Sequence, residues 1–388
     1  LIKDSDIGGE AKISVHAGEL VAATIGSNSY AEISLGYVAP DIDGVDTDAE
    51  LPLRQRSGDA ADNYFNGGLG YKQQINDAVS FALIVDQPYG ANIAYDTFVP
   101  GENGSLAFGG TLATLDSSSV TAMGRYEFGN GFSVHGGARA QQFNAKIALN
   151  GAAYGPLSGY RADLDADTGY GWQAGMAYER PDIALRVALT YFSEIDHDVD
   201  SVEDIPALVV GGLALAGITL PSTLAGTTEV TTPEAINLDF QTGIAADTLL
   251  FGGIRHVRYS DVIVSPTAFD LAVDPLSGGD TLVGIDDSTT FRLGIGRRFN
   301  DRFSGLVSVS YTDRGDDDLV SPLAPTDGSL GITVGGAYNV SDAVTISGGI
   351  NYTRLGDARP ETGTPDRPFA SFEDNSALGI GVKVGVRF

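Results

Sequence analysis

The chain of 388 residues carries 51 glycines, 16 tyrosines and 17 phenylalanines but no cysteine. That composition suits short β-strands and tight turns, and it excludes a disulfide framework, a cysteine-ligated metal and a cysteine nucleophile. With 51 acidic against 23 basic residues the formal net charge is −28, which excludes nucleic-acid binding through a basic face, while 43% apolar content argues against intrinsic disorder.

The chain opens at Leu1 without a visible secretory leader, as a mature or trimmed product would. From residue 29 onward, apolar residues alternate with small or polar ones at period two. Ala31, Ile33, Leu35 and Tyr37 alternate with Glu32, Ser34 and Gly36. Phe303, Gly305, Val307, Val309 and Tyr311 alternate mainly with serines, and Leu378, Ile380, Val382, Val384, Val386 and Phe388 share one face at the end. Each run is about ten residues long, the length of a tilted strand crossing a bilayer. Fourteen runs are counted, centred near Ile33, Gly68, Leu83, Ala122, Gly136, Ala174, Val187, Leu238, Gly253, Leu293, Val307, Val334, Gly348 and Val382.

The connections alternate in length. Short turns follow the even-numbered runs, at Asn76-Asp77, Gly129-Asn130-Gly131, Pro181-Asp182, Ala246-Asp247, Asn300-Asp301 and Ser341-Asp342. Long connections follow the odd-numbered ones, roughly over 39–60, 91–116, 145–168, 195–230, 261–287, 313–327 and 354–373. A soluble sandwich does not sort its loops by side in this way, whereas an outer-membrane barrel does. The expected fold is all-β: a transmembrane antiparallel β-barrel of fourteen strands over residues 29–388, with short periplasmic turns, long extracellular loops and both termini periplasmic. Tyr37, Tyr71, Tyr126, Phe128, Tyr178, Tyr191, Tyr311, Tyr338, Tyr352 and Phe388 fall at run ends, as interfacial girdles do. The alternative is a soluble all-β protein whose small and polar residues face water. No segment suits a transmembrane helix: Ile205 to Leu220 is charge-free, but it is shorter than about 18 apolar residues and holds Pro206, Gly211, Gly212 and Gly217.

Several segments resemble the FadL-type family of long-chain fatty acid and hydrocarbon transporters of the Gram-negative outer membrane. They are DTGYGWQAGMAYERPDIALRVALTYFSEIDHD over Asp167 to Asp198, Thr232-Pro233-Glu234 leading into the strand at Ile236 and then Leu249 to Asp261, and SFALIVDQPYGANIAY over Ser80 to Tyr95. The C-terminal strand ending in Phe388 resembles outer-membrane proteins generally, and together with the strand number the likeness covers roughly residues 29–388. It implies passive, ligand-gated diffusion of hydrophobic molecules, long-chain fatty acids foremost, and no enzymatic activity. It also implies an N-terminal plug in the lumen, which residues 1–28 would supply although they lack the family's Asn-Pro-Ala element.

Gln87-Pro88-Tyr89-Gly90 is the most informative local feature, because proline cannot donate to a ladder and glycine loosens a strand further. By the resemblance this is a lateral gate; the other reading is that the strand ends and Pro88 starts the next loop. The uncharged segment with Ile205, Leu208, Val209, Leu213 and Leu215 falls in the longest connection, so it reads either as an exposed apolar surface capturing ligand or as packing over the barrel mouth. Alternation points Arg125, Arg139, Arg186, Lys383 and Arg387 inward, and Arg255 less clearly. Arg125, Arg139 and Arg255 are candidates for holding a carboxylate, with pairing to inward acids such as Glu127 and Glu179 as the alternative.

No catalytic constellation, phosphate loop or nucleotide fingerprint is present, and no cofactor is expected. His16, His135, His197 and His256 are dispersed, and Asp196-His197-Asp198 is read as exposed. The acidic groups Asp41/Asp43/Asp46/Asp48, Asp163/Asp165/Asp167 and Asp316-Asp317-Asp318 fall in expected extracellular loops. They offer hard oxygens for Ca²⁺ bridging to lipopolysaccharide, or simply a solvated acidic surface. Expected partners are a fatty acid or other hydrophobic small molecule, outer-membrane lipids and lipopolysaccharide. Alternative functions are a general porin for small polar solutes, which needs opposed charged rows around an open eyelet, and a surface adhesin or phage receptor.

Overall fold

The computed structural model describes residues 29–48, 51, 53–277, 282–315, 318–363 and 367–388. The expected plug-like segment, residues 1–28, lies outside the described residues. Seventeen segments of one sheet make fourteen wall strands, because three strands are each interrupted once and then continue. Strand β1 (Tyr30–Asp41) pairs with both β2 (Tyr64–Gln74) and β14 (Ser376–Arg387), which closes the barrel. Between them run β3 (Val79–Asp86, resuming as Gly90–Ala94), β4 (Leu112–Glu127), β5 (Phe132–Leu149), β6 (Tyr160–Arg180) and β7 (Leu185–Phe192, resuming as Ile195–Asp204). There follow β8 (Thr223–Thr232, resuming as Ala235–Ala245), β9 (Thr248–Val257), β10 (Ser288–Arg298), β11 (Phe303–Thr312), β12 (Ser329–Asn339) and β13 (Val344–Leu355). Neighbours are antiparallel throughout the wall.

The expected alternation sets which side each residue faces. On β14, Leu378, Ile380 and Val382 are about half exposed while Gly379 and Gly381 are buried inward. In lipid the outward row costs nothing to expose, and the closed wall pairs backbone groups between neighbouring strands wherever the ladder is continuous. All six short turns fall where Asn, Asp, Gly or Pro placed them. Their chemistry is local: the Asn300 side-chain oxygen accepts from the backbone N–H of Arg302 and Phe303, both at 2.9 Å.

Two long connections differ from expectation. Strands β4, β5 and β6 run 16, 18 and 21 residues, well beyond the roughly 9–11 that cross a bilayer. Much of the expected loops at 145–168 and 195–230 is therefore wall strand, leaving 150–159 and 205–222 as connections. In this extension the polarity of the alternation is reversed. Asp163, Asp165, Asp196, Asp198 and Asp200 point out and are exposed, while Ala162, Leu164, Ile195 and Val199 point in and are buried. An outer face of aspartates suits water and not lipid, and the apolar residues accordingly turn inward.

The main apolar core accordingly sits at the loop end of the barrel, where Phe108, Phe143, Leu149, Tyr160, Leu355 and Phe372 pack together. Helices α1 (Ala207–Leu215) and α2 (Thr267–Ser277) belong to two of these long connections.

Candidate functional site

The wall ladder between β2 and β3 is broken in its middle. Pairing runs from Gln74↔Ser80 up to Leu69↔Val85 and then stops. It resumes beyond β2, where Asp62 N–H donates to the Asn92 carbonyl at 3.2 Å and Ala61 bridges Ile93. No strand pairing joins residues 63–68 to 86–91. The Gln87 side-chain oxygen reaches into this break and accepts from the Gly67 N–H at 3.1 Å. On the other side of β3, Asp86 pairs with Ser119 and Gly90 with Asp116, so three residues of β3 face two of β4. That is a bulge, which bends the strand and frees its groups from the ladder. Strand β3 thus does not end at Pro88; it is interrupted there and continues.

Tyr89, the last residue of the bulge, turns into the lumen. Its N–H donates to the Ser117 hydroxyl at 2.8 Å, and that hydroxyl donates to the Tyr89 carbonyl at 2.6 Å. Its phenol crosses to β8 and donates to the Pro233 carbonyl at 3.2 Å. The ring is 7% exposed and packs with Phe192, Ala235, Val257 and Tyr259. Pro233 sits in a second wall interruption, since pairing of β7 with β8 stops at Ile195↔Thr232 and resumes at Phe192↔Ala235. From sequence Pro233 reads only as the lead into the strand at Ile236, because the strand before it, Thr223–Thr232, lies in a stretch that reads as loop. The contact between the two breaks is not readable from sequence either.

Towards the short-turn end, the lumen is lined by ion pairs. Arg125 bonds Glu127, and lies 3.2 Å from Glu179, which Arg186 also meets at 2.9 Å. Lys383 lies 3.2 Å from Glu32, and Lys72 is buried at the same end. Near the break, Arg139 approaches Asp86 at 4.0 Å, and Asp86 also bonds Ser119. Of the candidate carboxylate holders, Arg125 and Arg139 are therefore placed beside protein acids. Arg255 does point inward: it donates to Asn237 at 2.8 Å, and its guanidinium carbon lies 5.8 Å from the centre of the Phe192 ring. Arg387 sits exposed at the rim.

The uncharged segment after β7 is partly helical, and its candidate residues divide. Leu208 and Leu215 are 75% and 94% exposed. Ile205, Val209 and Leu213 are buried, packing with Ala268 of α2, so these three follow the packing alternative and not the exposed-surface reading. The segment holds itself down with one face and presents the other.

The acidic groups disperse rather than converge. Asp43 pairs with Arg56, and Asp48 meets Arg367 at 2.8 Å. Asp46 is buried, accepting from Ser105 at 2.7 Å and from the Leu106 N–H at 2.7 Å; burial pushes its carboxyl above the ordinary range. Asp318, a weak Ca²⁺ candidate, is clasped by Arg359, while Asp316 and Asp317 lie outside the described residues. Among the described residues, no group of His, Asp and Glu is arranged to hold a metal. His197 is buried rather than exposed, its ring tilted against Phe143 with Asp167 at 3.5 Å, because strand alternation sends it inward while Asp196 and Asp198 point out.

Residues 22–388 match the profile of a family described as outer membrane protein transport protein (OMPP1/FadL/TodX). No curated protein matches the chain. Among solved structures, a FadL homologue of Pseudomonas aeruginosa superposes with a TM-score of 0.73 at 16% identity, covering 95% of this chain and 92% of that one. The toluene transporter TodX of Pseudomonas putida gives 0.62 at 13% identity, covering 100% and 99%. The toluene transporter TbuX of Ralstonia pickettii gives 0.58 at 12% identity, covering 94% and 90%.

Proposed function

The chain belongs to the outer membrane protein transport family (OMPP1/FadL/TodX), and from that premise we propose that it takes up long-chain fatty acids and releases them sideways through the break between β2 and β3. The long loops then face outside the cell, and both chain ends the periplasm. The acidic extension of β6 to β8 stands in the lipopolysaccharide layer.

One observation carries the reading: the wall break lies between an apolar core above and a charged floor below. Ligand descending from the core around Phe108 and Phe143 meets the apolar cluster of Tyr89, Phe192 and Val257 at the level of the break. Beneath it stand Arg125, Glu127, Glu179 and Arg186. Each methylene leaving an apolar surrounding for a wet, charged one costs about 0.8 kcal/mol, so a long chain is driven away from the floor. The bilayer beyond the break accepts the same chain at no such cost. A general porin needs an open eyelet between opposed charged rows, whereas these lumenal charges are matched into pairs.

Arg255 favours an acid over a bare hydrocarbon, because it places a guanidinium over Phe192 inside the apolar cluster. Toluene is the cargo named for the TodX and TbuX neighbours, and a monoaromatic cargo is the second reading.

The test uses the absence of native cysteine. Gly67→Cys and Gln87→Cys, joined by a short bifunctional thiol reagent, should abolish delivery of a long-chain fatty acid to the membrane while leaving its binding intact. Undiminished delivery after complete cross-linking would remove the sideways route.

A further inference from the structure

We infer that the Tyr89 hydroxyl is a catch that holds the passage between the apolar cluster and the wall break shut, and that Tyr89 thereby sets the rate of cargo release. The inference rests on the sideways route proposed above.

Three features carry it. Tyr89 occupies the bulge, and both its backbone N–H and its carbonyl are tied to one side chain, the Ser117 hydroxyl, at 2.8 and 2.6 Å. These two bonds tie the Tyr89 backbone to a single rotatable group and not to the wall ladder. Its ring fills the space that a chain must cross, enclosed by Phe192, Ala235, Val257 and Tyr259. Its hydroxyl is then pinned at the far side by the Pro233 carbonyl, 3.2 Å away. That carbonyl lies where the pairing of β7 with β8 is interrupted, and Pro233 has no N–H with which to continue the ladder. The two breaks in the wall are thus joined across the lumen by one hydrogen bond.

The catch also has a natural release. A carboxylate is a stronger acceptor than a peptide carbonyl, and its hydrogen bonds are roughly twice as strong as neutral ones. A fatty acid held by Arg255, over the Phe192 ring of the same cluster, brings such an acceptor to the phenol. The cargo then draws the Tyr89 hydroxyl off Pro233, and the ring swings aside. A bare hydrocarbon offers no acceptor, so it must wait for the catch to open by itself.

The experiment follows cis-parinarate leaving the purified full chain in phospholipid nanodiscs, read by its fluorescence. Tyr89→Phe keeps the ring and removes only the catch, so release should be about fivefold faster, the factor expected for losing one neutral hydrogen bond. Equilibrium affinity should change far less than that. Tyr89→Ala removes the ring as well, and should release faster still with weaker binding. In the Gly67→Cys/Gln87→Cys background, cross-linked, Tyr89→Phe should produce no acceleration, because the exit beyond the catch is closed. Release from Tyr89→Phe at the parental rate, while cross-linking blocks the parent, overturns the catch alone. Parental release that ignores the cross-link overturns the sideways route, and with it the passage that Tyr89 is held to close.

Discussion

Glu203 accepts a 2.7 Å hydrogen bond from the hydroxyl of Tyr160. Both residues are buried at the top of the extended wall. The same carboxylate accepts from the N–H groups of Ala268 and Phe269, at 2.9 and 3.0 Å. It therefore satisfies donors in the first turn of α2, which would otherwise be left unbonded, and anchors that helix to the tip of β7.

Glu203→Ala should strand the Tyr160 hydroxyl and the α2 donors together. Leaving buried donors unbonded costs about 2 kcal/mol, and the loss should concentrate at the loop end. Limited proteolysis should cut within 262–277 while the membrane-embedded wall stays resistant. Resistance equal to the parent would show that α2 is held by packing alone.

The exposed face of α1 should act in capture. Leu208→Asp with Leu215→Asp changes only side chains that stand in solvent, so the barrel should fold normally. Uptake of fatty acid at limiting concentration should fall several-fold and recover at saturation. Leu213→Asp should instead disrupt packing against Ala268. If the two exposed aspartates leave uptake at limiting ligand unchanged, that face has no part in recognition.

Arg255→Gln should separate acids from hydrocarbons. Losing one charge-assisted contact is worth roughly 1.5–3 kcal/mol, tenfold or more in affinity. Binding of a fatty acid should weaken by that factor and binding of the matching alkane should not. Equal weakening of both would assign Arg255 to packing against Phe192 only.

Pro88→Val with Gly90→Thr should favour a continuous β3 across the break, because it returns one backbone donor and two β-favouring side chains while keeping the register that β2 and β3 share on both sides. The variant should fold at least as well as the parent, bind ligand and deliver little of it to the bilayer. Normal delivery would show that the bend in β3 is irrelevant to release.

Asp46 carries a pH signature. Burial raises its folded carboxyl above the ordinary value, so the folded state binds a proton more readily than the unfolded one. The stabilising contribution is complete below the unfolded pKa and lost as pH rises through the folded one. Stability of the parent relative to Asp46→Asn, which cannot titrate, should therefore increase as pH falls from neutral through the carboxylate range. A constant or declining difference in unfolding midpoint would contradict that sign.

The strand number and every short turn were legible because period-two alternation and Asn, Asp, Gly and Pro positions act locally. The interruption at Pro88 was legible for the same reason. The extension of β6 to β8 was not, because its outward positions are aspartates and its inward ones Ile195 and Val199, the reverse of the membrane band. The period is unchanged, but the solvent outside is water rather than lipid, and a pattern of apolar-out strands misreads it as loop. Helix α1 was opaque for a different reason: Ala207–Leu215 is apolar on every side, so no face could be assigned in advance. Partners of charged residues were the least visible, since Asp43, Asp46 and Asp48 lie within six positions and find three unrelated environments.

The break between β2 and β3 has a geometric consequence. Pairing is present at both its ends, through Leu69↔Val85 on one side and Ala61↔Ile93 on the other, and both pairs belong to the same register. It is thus a buttonhole rather than a seam: neither end can run further without breaking native ladder bonds. About six residues at 3.3 Å each give it a length of roughly 20 Å. Its long axis follows the strands. A slender molecule aligned with that axis fits the aperture lengthwise, and a bulky one does not gain entry by prying the wall apart.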